Sequence, residues 1–132
     1  MEEKGFTLIE IMLVVIIIGI LAAMVVPRLT GRSEEARSSV AKTDIESNLA
    51  LALDLYEMDN GEYPANLDAL RTKPTEAINW KGPYIKKRPL DPWGRAYVYK
   101  SPGTHNPDSY DLYSLGRDAQ EGGGDDVVNW EQ

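Results

Sequence analysis

The chain has no cysteine among its 132 residues, so disulfide staples, thiol chemistry and Cys-ligated metals are excluded. An excess of positive charge is also missing: 14 Lys and Arg face 21 Asp and Glu, for a formal net charge of -7. Phosphate binding needs basic residues gathered on one face, and here they are scattered and outnumbered, which argues against a nucleic-acid partner. The sequence carries no phosphate-binding glycine loop, zinc spacing or hydrolase triad. His105 is the sole histidine and is flanked by turn residues, so it reads as an exposed loop position rather than a catalytic one.

What the chain does have is one long apolar run. Phe6 to Val26 is 21 residues, about 31 Å as a helix, which matches a hydrocarbon core of about 30 Å. It is longer than the apolar region of a cleaved secretory signal, although "LAAM" imitates a small-residue cleavage site. Glu10 sits inside this run. A carboxylate at mid-helix costs about 2.5 to 3.5 kcal/mol by insertion scales, and less near an end. Either Glu10 snorkels to the interface, or it pairs with a positive group from outside its own helix, because Lys4 is the only nearby base and lies outside the run. Weighing Arg28 and Arg32 against Lys4 would place the C-terminal side of the span in the cytoplasm.

Pro27 lacks an N–H and predicts a kink or loosening where the helix leaves the bilayer. From Ser33 to Asn60 the apolar residues Ala36, Val40, Ile45, Leu49, Ala52, Leu53 and Tyr56 form a stripe of near-helical period. Gly61 suits the left-handed position that ends a helix. Beyond Tyr63-Pro64 the chain becomes turn-rich. "ANLDALRT" reads as a brief helix or turn, "RAYVYK" and "YDLYSL" alternate as strands, and "VVNW" reads as a third. "DPWG" is a β-turn with Asp91 first, Pro92 second and Gly94 closing, and Tyr84, Trp93, Tyr97 and Tyr99 read as packing residues. The predicted fold class is therefore α+β: a long kinked N-terminal helix, membrane-inserted first and amphipathic after, packed on a small antiparallel sheet with a loop-rich C-terminal region. Roughly 105 residues after Pro27 suffice for one small domain and not for two.

Near the C-terminus Asp118, Glu121, Asp125 and Asp126 enclose Gly122, Gly123 and Gly124. Calcium takes roughly six to eight oxygen ligands, and a glycine-rich bend is one way to converge them. Acidic glycine-rich tails are also commonly just solvated, and the spacing is not that of an EF-hand, so composition leaves both readings open.

"KGFTLIE" at positions 4–10 resembles the processing site of type IV pilins and of the pseudopilins of type II secretion. "DNGEYP", "GPYIKK", "DPWGRAYVY" and "YDLYSLGRDAQEGG" followed by "NW" resemble the major pseudopilins of type II secretion, and the likeness runs from Lys4 to Trp130. The resemblance implies a leader over 1–5, a transmembrane and assembly helix over 6–27, and a periplasmic globular domain over 28–132. It implies that a prepilin peptidase cuts between Gly5 and Phe6 and methylates the new amine. Removing Glu2, Glu3 and Lys4, together -1, leaves the mature chain at -6 before that amine is counted. Thr7, Glu10 and Pro27 become assembly residues, with Glu10 meeting the Phe6 amine of a neighbouring subunit.

The same resemblance implies Ca2+ in the C-terminal loop, held by Asp118, Asp125, Asp126 and the carbonyl of Leu115. The loop is shorter than the family's, which leaves open whether Asp125 or Asp126 is the main ligand. The implied function is that of a non-enzymatic, structural major subunit of a periplasmic pseudopilus that drives export of folded proteins through an outer-membrane channel. The implied partners are further copies of the chain, minor pseudopilins, the inner-membrane assembly platform, the peptidase and the inner membrane itself, with the C-terminal domain in the periplasm. A type IV pilus subunit for adhesion or motility is a neighbouring reading, which the missing disulfide weighs against. A membrane-tethered calcium-binding or enzymatic domain is an alternative of another class.

Overall fold

A computed structural model describes Met1 and residues 4–131, the side chains of Leu29 and Thr30 excepted. Glu2 and Glu3 of the expected leader, and Gln132 at the end of the expected globular domain, lie outside the described residues. The chain divides into two compact units, Met1–Glu35 and Ala36–Gln132.

Helix α1 runs over Leu8–Thr43. Its start is set by a reciprocal cap: the Glu10 main-chain N–H donates to Thr7 Oγ1 at 3.2 Å, and the Thr7 N–H donates back to Glu10 Oε2 at 3.1 Å. This is a Thr-x-x-Glu capping box, which satisfies two of the main-chain donors that a helix N-terminus leaves open. Pro27 lies inside α1 and does not end it. Every residue from Phe6 to Val26 is exposed within the chain, Phe6 at 83%. One helical stretch among the described residues, Leu8–Asn60, is long and apolar enough to cross a membrane.

In the second unit the helix changes pitch. A single π turn spans Asp44–Asn48, and α2 follows over Leu49–Asn60. The buried residues fall at Ala41, Ile45, Leu49, Ala52, Leu53 and Tyr56. The first two steps are four residues long, which overshoots an α-helical turn of about 3.6 residues, and one wider π turn brings the stripe back into line. The expected stripe is thus correct from Ile45 onward. Ala36 and Val40 are exposed instead, and burial begins at Ala41. Gly61 ends α2 with φ 86°, its N–H donating to the Glu57 carbonyl at 2.7 Å.

"ANLDALRT" forms a single 3-10 turn over Leu67–Leu70, with the Asn66 side chain accepting from the Ala69 N–H at 3.2 Å. Three strands follow: β1 (Val98–Lys100), β2 (Asp111–Ser114) and β3 (Val127–Val128). They form an antiparallel sheet in the order β1-β2-β3, with Tyr99 opposite Leu112 and Ser114 opposite Val127. The Asn129 side chain then extends the β3 edge, accepting from the Leu112 N–H at 2.9 Å and donating to the Tyr110 carbonyl at 3.0 Å.

The helical stripe packs with Leu70, Ala77, Tyr97, Tyr110, Leu112 and Val127 in one apolar core. Tyrosines tie the loops back to the helix, because a ring can be buried while its hydroxyl reaches a polar partner. Tyr97 donates to Asp44 Oδ2 at 2.9 Å, Tyr84 to Asp59 Oδ2 at 2.7 Å and Tyr63 to Asp54 Oδ1 at 3.2 Å. Burial, and then the Asp44 carboxylate it donates to, push the Tyr97 phenol above the ordinary tyrosine range, so it remains a donor.

Leu53 is fully buried and Leu51, two residues earlier, is 62% exposed. Leu53→Ala is expected to cost about 2–5 kcal/mol and Leu51→Ala less than about 0.5 kcal/mol, read from denaturant midpoints of the full chain in detergent.

Candidate functional site

The C-terminal loop leaves β2 at Ser114 and returns at Val127. Between them Gly116, Gly122, Gly123 and Gly124 have φ between 69° and 89°, and Ala119 has φ 59°. Gly116 and Gly123 also need the absence of a side chain. A Cβ on Gly123 would stand 2.9 Å from Asp118 Oδ2, and one on Gly116 would meet the Asp125 main chain and its Oδ2. These bends bring Asp118, Asp125 and Asp126 together, so that one oxygen from each lies within 4.8 Å of the others.

The three expected aspartate ligands are therefore adjacent in space. Leu115 is the half-buried residue that follows β2 and precedes Gly116. Glu121, the fourth acid of the stretch, accepts from the Tyr113 hydroxyl at 3.1 Å. The three aspartates also hold the loop from within. Asp125 Oδ2 accepts from the Asp118 N–H at 3.0 Å, Asp118 Oδ1 from the Gln120 N–H at 2.9 Å, and Asp126 Oδ2 from the Gly122 N–H at 2.8 Å.

Two buried oxygens of this cluster have no partner. Asp125 Oδ1 and Asp126 Oδ1 are both buried without a hydrogen bond. A buried carboxylate oxygen with no donor costs free energy comparable to a lost charged hydrogen bond, and three converging carboxylates also repel one another. Hard oxygen donors in that arrangement fit a hard cation such as calcium. Asp125 and Asp126 contribute an orphan oxygen each, so neither is favoured over the other by its partners.

A second carboxylate, absent from the expected site, organises the neighbouring loop. Asp111 is 3% exposed and accepts from the N–H groups of Thr104, His105 and Asn106 at 2.8, 3.0 and 3.0 Å. His105 Nδ1 lies 3.1 Å from Asp111 Oδ2, and its ring stacks on Trp130 with centroids 3.9 Å apart. His105 is half exposed as expected, and it is also a fixed part of this loop. Its pairing links residues six apart through a turn, which no local pattern announces.

Thr7, Glu10 and Pro27, the residues expected to act in assembly, lie in the first unit. Besides the capping bonds, the Thr7 hydroxyl lies 3.2 Å from Glu10 Oε2 and donates to it. Gly5 and Phe6 precede α1 and are exposed, Phe6 strongly so. The carboxylate that seemed misplaced in an apolar run thus has a local use, as the third residue of the helix.

The prokaryotic N-terminal methylation motif matches residues 1–26. Together with an apolar helix leading into an α+β unit, it defines a pilin-like protein. The model of type II secretion system protein G matches residues 28–130, and the chain belongs to that family. A relative from Pseudomonas aeruginosa described as type II secretion system core protein G is 51% identical over 98% of this chain and 96% of its own length. Those of Vibrio cholerae and Escherichia coli, described in the same words, are 49% and 46% identical, again over 98% of this chain and 92% of each relative. The crystal structure of the major pseudopilin from the type 2 secretion system of enterohaemorrhagic Escherichia coli superposes with a TM-score of 0.67, at 34% identity, over 77% of this chain and 89% of that one. The expected family and fold are correct, and the type IV pilus reading gives way to type II secretion. The family is one of structural pseudopilin subunits.

Burial alone would raise the Asp111 carboxyl, but the N–H groups and ring of His105 and the N–H groups of Asn106 and Thr104 outweigh it, and the group titrates below its ordinary 3.8. A carboxyl lowered by folding contributes stability that is present above its unfolded value and is lost as pH falls through the folded one. Wild-type stability is therefore expected to fall with acidification below about pH 4. Asp111→Asn should be less stable at neutral pH by about 2 kcal/mol and should show a flatter acid limb, measured as denaturant midpoints across the acid range.

Proposed function

We propose that this chain is a non-enzymatic subunit that polymerises with itself through its N-terminal helix into a periplasmic pseudopilus, which drives folded proteins through the outer-membrane channel of type II secretion. The observation that carries this reading is the uncovered apolar helix of a protein G family member: Phe6 to Val26 is exposed along its whole length. An apolar surface of that size requires either lipid or other copies of itself. The subunit waits in the inner membrane as a single-pass protein with its C-terminal domain in the periplasm. The inner-membrane platform then transfers it to the filament, where minor pseudopilins join it.

The parts of the chain divide accordingly, with residues 1–5 as leader, 6–27 as membrane and assembly helix, and 28–132 as the periplasmic domain. The peptidase cuts after Gly5 and methylates Phe6, which creates a cation in the apolar layer. Glu10 neutralises that amine on a neighbouring subunit and sets register. The bonds to Thr7 use Glu10 Oε2, which leaves Oε1 for the neighbour. Removing one member of such a buried pair strands the other, at about 3–5 kcal/mol.

In the C-terminal loop, Asp118, Asp125, Asp126 and the Leu115 carbonyl hold Ca2+. The ion supplies the positive charge that the two orphan oxygens lack, and it closes a loop that has no disulfide.

Chelator is expected to lower the unfolding midpoint of the full chain in detergent by several degrees, and Asp118→Ala to remove that dependence. A transition unchanged with and without calcium ends the metal claim. Glu10→Ala is expected to leave cleavage after Gly5 nearly intact, by mass of the N-terminal peptide, while abolishing filaments in sheared fractions. Normal filaments from that variant would refute the ion-pair role.

A further inference from the structure

The loop that carries the three aspartates is held at one residue, Gly116, by the "DPWGR" turn and by Ser114 bonded to it. Gly116 is buried, and its N–H donates to Ser114 Oγ at 3.1 Å. The Ser114 hydroxyl in turn donates to Asp91 Oδ2 at 2.7 Å. The Gly116 carbonyl accepts from Arg95 Nη2. Asp91 is 4% exposed and Ser114 is fully buried, so water does not compete for the bonds from Gly116 through Ser114 to Asp91.

The turn itself is fixed. Asp91 Oδ1 accepts from the N–H groups of Trp93 and Arg95 at 3.1 and 2.8 Å, the Gly94 N–H closes on the Asp91 carbonyl at 2.9 Å, and the Asp91 N–H closes on the Arg95 carbonyl at 2.7 Å. On the loop side Gly116 stands against Asp125, since a Cβ there would lie 2.9 Å from Asp125 Oδ2 and collide with the Asp125 main chain. Two residues further on, the Asp118 N–H bonds the same Oδ2. One residue, Gly116, therefore separates a rigid turn from the carboxylates.

The geometry points to Arg95 and Ser114, backed by Asp91, as positioning residues for the metal, an inference that rests on the calcium reading above. They hold the main-chain N–H and carbonyl of Gly116, one on each side of its Cα, and thereby set Asp125 and Asp118. Three carboxylates that repel one another converge before an ion arrives only if something else holds the backbone. Holding it in advance lowers the ordering cost that calcium binding must overcome.

The test is a titration of the full chain in detergent with calcium alone, by calorimetry, paired with melting in chelator. Arg95→Gln and Ser114→Ala are each expected to raise the calcium dissociation constant by about fivefold or more, the effect of one lost hydrogen bond. Arg95→Lys, which keeps a donor and the charge, should recover part of the loss. Tyr97→Phe removes the bond to Asp44, away from the loop, and should lower the melting temperature in chelator with wild-type calcium affinity. Should Arg95→Gln fail to fold, Ser114→Ala decides. If both positioning variants melt lower in chelator but bind calcium as the wild type does, they only support the fold and the inference is overturned. If the unmutated chain binds no calcium, the metal reading falls and takes this inference with it.

Discussion

The burial of one helical stripe is the contact on which the rest of the second unit depends. Strands of three, four and two residues cannot support a sheet by themselves. They persist because Tyr97, Tyr110, Leu112 and Val127 share a core with Ala41, Ile45, Leu49, Ala52, Leu53 and Tyr56. The π turn at Asp44–Asn48 keeps that stripe aligned, and Asp44 within it also receives the Tyr97 hydroxyl. Pitch, packing and a polar tie therefore meet at the same turn.

A chain without disulfides must close its loops with polar contacts, and here buried or half-buried aspartates serve as the closing points. Asp91 gathers two main-chain N–H groups and the Ser114 hydroxyl, and Asp111 gathers three N–H groups and the His105 ring. Both carboxylates use both of their oxygens. The C-terminal cluster differs, since Asp125 and Asp126 each keep one buried oxygen without a donor. Saturated carboxylates are structural anchors, whereas the unsaturated pair has the chemistry of a cation site.

Local patterns were legible where the governing physics is local. Gly61 after a helix, the "DPWG" turn, the short alternating strands and the apolar run each declare themselves within a few residues. Glu10 was legible as an anomaly, and Thr-x-x-Glu ahead of an apolar run is also a capping box, so the residue has a use in helix initiation. The exposure of Ala36 and Val40 was not legible, because helical period says which residues share a face and not where the partner begins. Nor were the Arg95 and Ser114 contacts to Gly116 or the Asp111 loop, where bonding depends on how segments are brought together.

The sequence by itself determined the membrane-length helix, the order of elements, the family and the acidic residues of the C-terminal loop, because hydrophobic run length, turn chemistry and motif spacing act along the chain. Only the tertiary structure decided that Asp118, Asp125 and Asp126 converge, that Glu121 is taken by Tyr113, and that two oxygens are left without donors. Convergence depends on glycines at positive φ and on the grip of a distant turn on Gly116. Those are relations in space, and linear spacing carries no record of them.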